Sequence, residues 1–126
     1  MFLFPEQLPL ASSSVWSYLA TVPTNCTNTS VFFQEMKQAL KMPDYFGENW
    51  DAFFDILCDL SWIQQYQVIL FHADFPFVDI EKNKIYFDVV MDAIRNWRLD
   101  NGKHELVAAF DINLNKKEVY RSMKEM

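Results

Sequence analysis

The sequence predicts an α/β fold, a three-stranded parallel sheet packed with helices. Two observations carry this. Three short β-rich segments alternate with helical stretches long enough to serve as parallel crossovers. The 126 residues are 51% hydrophobic and 17% aromatic, with two glycines and five prolines. That composition suits one compact domain and excludes a disordered or fibrous chain.

The elements follow in order. Residues 15–20, VWSYLA, alternate and are β-rich, so they read as the first strand. A polar loop comes next, and Thr29 or Ser30 at its end offers a helix N-cap. Phe32, Phe33, Met36, Ala39 and Leu40 then share one helical stripe, with Pro43 as the stop. The turn PDYFG leads to a second helix. Gly47 is expected to take a left-handed conformation there, Asn49 to cap the helix, and Asp51 to sit favourably in its first turn. YQVILF, residues 66–71, is an unbroken apolar run and reads as a strand buried on both faces. Residues 72–84 read as irregular. From Tyr86, the residues Phe87, Val90, Met91, Ile94 and Trp97 recur at helical spacing until Asn101 and Gly102. ELVAAFDI, residues 105–112, is the third strand. The domain is therefore expected over residues 15–112, with extensions at 1–14 and 113–126; the second extension reads as a last helix or a loose tail.

Charge narrows the function. A net charge of −6 and a pI near 4.7 argue against direct nucleic-acid binding and favour a basic partner. Cys26 and Cys58 supply neither a disulfide framework nor a C-x-x-C pair, so both are expected as reduced thiols of a cytoplasmic protein. The apolar start lacks a positive n-region, and Pro5, Glu6 and Pro9 interrupt it, which is wrong for a signal peptide. No apolar run approaches the roughly 20 residues of a membrane span. His72 and His104 lie at strand ends, where a partly exposed edge position is the expectation. No Ser-His or Cys-His arrangement, metal-ligand spacing or phosphate loop is visible, so no catalytic residue, metal or cofactor is expected.

The chemistry concentrates in YFGENWDAFFDIL, residues 45–57. Asp51, Asp55 and Asp59 follow at four-residue steps and form one acidic stripe on a helix. Each like-charged pair costs roughly 0.2–0.5 kcal/mol. No Lys or Arg lies between Lys41 and Lys82 to offset them. Tyr45, Phe46, Trp50, Phe53 and Phe54 stand among these acids, more aromatics than one core-facing stripe needs. Acids and aromatics together describe a protein-binding surface, because aromatics are enriched at interface hot spots.

ALKMPDYFGENWDAFFDIL, residues 39–57, resembles the signature of the barstar family, with weaker similarity through Trp62, the 66–71 strand and the final helix and strand. The resemblance implies an intracellular inhibitor, an immunity protein or antitoxin, that blocks the active site of a ribonuclease or other basic toxin domain. It also implies a barstar-like three-stranded parallel sheet. Carried over by position, Tyr45, Phe46 and Gly47 form the inserting turn. Asn49, Trp50 and Phe54 flank the acids Asp51 and Asp55, and Asp59 adds one more. Asn96 stands uncharged near the place of a later family acid, and Trp50 replaces a smaller aliphatic residue; both bear on which target is bound. An acidic interaction or regulatory module with a non-nuclease partner is the alternative, and a DNA-mimicking decoy a third.

Overall fold

The computed structural model describes residues 2–3, 16–99 and 102–111. The elements are β1 (Phe2–Leu3), β2 (Ser17–Thr21), α1 (Thr29–Ala39), α2 (Trp50–Asp59), β3 (Gln67–His72), α3 (Ile80–Leu99) and β4 (Glu105–Phe110). The three long strands pair in parallel as expected, with β3 in the middle: Leu19 lies opposite Ile69, and Ile69 opposite Val107. A fourth strand joins them. β1 adds in parallel at the β4 edge, placing Phe2 opposite Ala108. Two residues carry no alternating pattern, so this strand cannot be read from sequence. The rest of the two expected extensions lies outside the described residues, as does Ile112; β4 ends at Phe110, short of the expected strand end, and Asp111 is not part of it.

β3 is an interior strand, and Val68, Ile69 and Leu70 are all buried, as an unbroken apolar run requires. One sheet face, including Val68, Leu70, Leu106, Ala108 and Phe110, forms a single core with all three helices. Phe32 is its hub. The Phe32 ring lies 4.7 Å from Phe77, 5.5 Å from Phe33 and from Tyr86, and 5.9 Å from Trp50 and from Phe53.

Helix ends depart from expectation for local reasons. Asn28, not Thr29 or Ser30, caps α1, accepting from the Val31 amide at 2.9 Å. Three cap-competent side chains in succession leave the choice to backbone geometry. Nor does Pro43 end α1. The helix stops at Ala39, where the Met42 amide donates to Lys37 O at 2.8 Å and the Lys41 amide to Gln38 O at 3.2 Å, with Lys41 left-handed at φ 51°. This is a Schellman motif with lysine in the position that favours glycine. Lys41→Gly is expected to raise stability by up to about 1 kcal/mol. A lower thermal midpoint for that variant would show that the lysine side chain contributes more than its backbone strain costs.

α3 begins at Ile80, six residues before the apolar stripe starts, so residues 80–84 are helical and not irregular. Polar bonds organise this end. Asp79 Oδ1 accepts from the Glu81 amide at 2.9 Å, and buried Asn83 bonds both the amide and the carbonyl of Phe77, at 2.8 and 2.9 Å.

His72 and His104 are buried, contrary to the edge position expected of each. His72 Nδ1 lies 2.9 Å from Ala109 O and therefore carries the proton, leaving Nε2 to accept from the Tyr86 hydroxyl at 2.7 Å. Burial lowers the His72 pKa to about 4. The unfolded imidazole, with its pKa of about 6.5, takes its proton first as pH falls. His72 therefore contributes stability that is full above about pH 6.5 and lost progressively towards pH 4, on the order of 3 kcal/mol. Urea midpoints at pH 7 and pH 4.5 are expected to differ less in His72→Gln than in the parent. Equal losses in the two proteins would assign the acid sensitivity to other groups.

Candidate protein-binding face on α2

The turn before α2 has an inward and an outward aromatic. Phe46 is buried, 5.7 Å from the Phe33 ring, and its amide donates to Pro43 O at 3.2 Å. Tyr45 points outward and is 70% exposed. Its hydroxyl donates to Asp59 Oδ2 at 3.1 Å, which ties the turn to the last residue of α2. That hydrogen bond, with smaller effects of desolvation and the Asp59 charge, raises the Tyr45 phenol above its ordinary range.

The left-handed residue expected at Gly47 is instead Glu48, at φ 53°. A Cβ at Gly47 would meet Ala52 Cβ and Asn49 Nδ2 at 3.4 Å, so it would crowd the turn slightly without a severe clash. Asn49 caps α2 as expected. Its side chain accepts from the Ala52 amide at 2.8 Å and donates to Gly47 O at 3.2 Å.

On α2 the acids and the aromatics separate. Asp51, Asp55 and Asp59 are exposed, and none of them takes part in an ion pair among the described residues. Phe53 is fully buried, while Trp50 and Phe54 are half-buried. Trp50 packs 4.9 Å from Phe33. The aromatic surplus is thus largely spent on the core, with Tyr45 as its exposed member. Asn96 is exposed on α3.

A groove of about 290 Å³ runs between the turn and α2. It brings together five of the sequence-predicted residues, with Tyr45, Phe46 and Gly47 on one wall and Asp55 and Asp59 on the other. Ala52 and Ile56 complete the lining. Both were missed from sequence, although their four-residue spacing beside the acids carries the signal. Asn49, Trp50, Asp51 and Phe54 lie outside the groove lining.

Two clamps from distant elements fix α2 from behind. Trp97 Nε1 donates to Leu57 O at 2.7 Å. His104 Nε2 lies 2.9 Å from Leu60 O and its Nδ1 2.9 Å from Gln65 O. Leu60 itself is buried and left-handed at φ 48°. Cys58, on the flank of α2, is free like Cys26; burial first, then the charges of Asp55 and Asp92, push its thiol up to about 11.

This combination, a capped acidic helix preceded by an aromatic turn and backed by a parallel sheet, has a counterpart among known families. The family model described as Barstar (barnase inhibitor) matches residues 20–110. The chain belongs to the barstar family. The match runs from within β2 to the end of β4 and takes in the whole groove. No curated protein and no solved structure matches the chain. No helix among the described residues is long and apolar enough to cross a membrane.

Proposed function

We propose that this barstar-family protein is a cytoplasmic inhibitor, an immunity protein or antitoxin, that blocks the active site of a ribonuclease with α2 and the turn before it. The observation that carries this reading is the exposed row of Asp51, Asp55 and Asp59 beside Tyr45, without a basic partner in the described part of its own chain. Such a row is costly alone, because like charges on one helix face repel. A basic nuclease cleft reverses the sign of that cost. Its Arg, Lys or His side chains donate charge-assisted hydrogen bonds to the carboxylates, and the opposite fields steer the two proteins together.

Each predicted residue has a role in this binding. Asp55, on the groove wall, occupies the place of a substrate phosphate. Asp51 and Asp59 extend the negative field to either side. Tyr45 packs on the partner, with Phe46 holding the turn from beneath, Gly47 and Asn49 shaping its backbone, and Trp50 and Phe54 forming the flank. The inhibitor performs no chemistry and needs no metal or cofactor.

Capture from a lysate of the native host tests this directly. A ribonuclease should be retained, and its RNA hydrolysis should fall to zero at one equivalent of inhibitor. A retained protein without nuclease activity, or a nuclease that stays active when saturated, would replace this reading with the interaction-module alternative.

A further inference from the structure

Both ring nitrogens of His104 face carbonyl oxygens. Nε2 lies 2.9 Å from Leu60 O, and Nδ1 lies 2.9 Å from Gln65 O and 3.3 Å from Tyr66 O. A carbonyl oxygen only accepts, and a neutral imidazole has a single N–H to donate. With one ring proton, a nitrogen lone pair would point at a carbonyl lone pair inside the protein, where an unmet polar group is costly. His72 supplies the contrast. Its second nitrogen meets the Tyr86 hydroxyl, which can donate, so one ring proton satisfies both contacts.

We propose that His104 is a positioning residue for the acidic helix, an imidazolium that donates from both ring nitrogens and ties the end of α2 to the segment entering β3. The place suits a cation. The C-terminal end of a helix carries partial negative charge. α1 and α3 have Lys37 and Arg98 in their last turns, whereas the last turn of α2 has no basic residue and ends on Asp59. His104, 44 residues beyond the cap residue Leu60 and 6% exposed, supplies the missing charge there. Burial alone disfavours that charge, and the carbonyl dipoles offset it. Arg98 and Glu105, of opposite sign, line the cavity of about 150 Å³ beside the ring. Trp97 stands edge to face with the imidazole at 5.3 Å. A Cβ on Gly102 would collide with that indole, so only glycine lets the loop before β4 close against it.

A long-range proton–nitrogen NMR spectrum of the free full chain at pH 7 tests the charge, since an unperturbed imidazole is mostly neutral there. Both nitrogens of His104 should carry protons, while His72, the internal standard, shows one bare nitrogen. The spectrum of His72→Gln assigns the two rings. A bare nitrogen at His104 would overturn the proposal. His104→Gln, whose amide has one nitrogen, tests the positioning. Its Leu60 and Ile63 amides, bonded to Ile56 O and Leu60 O, should exchange at least about tenfold faster, with those of β3 protected as before. Equal exchange in variant and parent would also overturn the proposal, and if the variant does not fold, the parent spectrum decides. Both measurements use the free protein, so they are independent of the ribonuclease reading. The further expectation, weaker inhibition by His104→Gln, rests on that reading.

Discussion

Asp55→Ala is expected to weaken the complex with the cognate ribonuclease by more than about 2 kcal/mol, roughly thirtyfold in Kd. The fold should hardly notice. Asp55 is exposed and makes no ion pair among the described residues, so its loss stays within about 0.5 kcal/mol. Removing it also relieves Asp51 and Asp59, its like-charged neighbours at four-residue spacing. Tyr45→Ala is expected to match Asp55→Ala in binding, because a turn aromatic that packs on the partner loses its contact. Asp59→Ala should cost less than Asp55→Ala, lowering the association rate through the lost charge and adding a smaller loss from the freed Tyr45 hydroxyl. Titrating ribonuclease activity, alongside thermal unfolding of each free variant, separates the two effects. Unchanged inhibition by Asp55→Ala, or its unfolding, would reduce the acidic row to a solvated helix face.

Phe32→Ala should do the reverse, costing about 3–5 kcal/mol of stability through transfer and cavity terms. Its ring is fully buried and meets rings from α1, α2, α3 and the loop before α3, among them Trp50 in the first turn of α2. Against a typical total stability of 5–15 kcal/mol, such a loss endangers the fold. Urea unfolding measures it. A loss below about 1 kcal/mol would mean that the neighbouring rings collapse into the space, and that no single aromatic organises the core.

The strand and helix order was legible because short β-rich or unbroken apolar runs alternate with stretches of period 3.6 from Trp16 to Phe110. Asn49 was legible as a cap because one competent side chain stood before a clear apolar run. The left-handed residues were not. Lys41, Glu48 and Leu60 adopt that conformation without being glycine, and what holds Leu60 is burial and a histidine from far along the chain. The aromatics of α2 misled for a related reason. Counting them against one stripe cannot show that α1, α3 and the loop at Phe77 converge on Trp50 and Phe53. His72 and His104 looked like edge residues because strand ends are commonly wet. Here Tyr86 and Trp97 of α3 close over them. The acids of the groove wall were plain in the sequence; its apolar complement, Ala52 and Ile56, waited on the placement of the turn.

The strand ladders also set the order in which the molecule can become competent. Ser17 meets Gln67 across 50 residues, and Gln67 meets Glu105 across 38. No local hairpin can nucleate such a sheet, and contacts this distant make for slow folding. The two clamps behind α2 are equally remote, with Trp97 lying 40 residues from Leu57 and His104 lying 44 from Leu60. During synthesis, α2 therefore leaves the ribosome long before the groups that fix its orientation. A nascent chain that stops short of Trp97 carries every acid of the row and neither of the clamps that hold its helix in place.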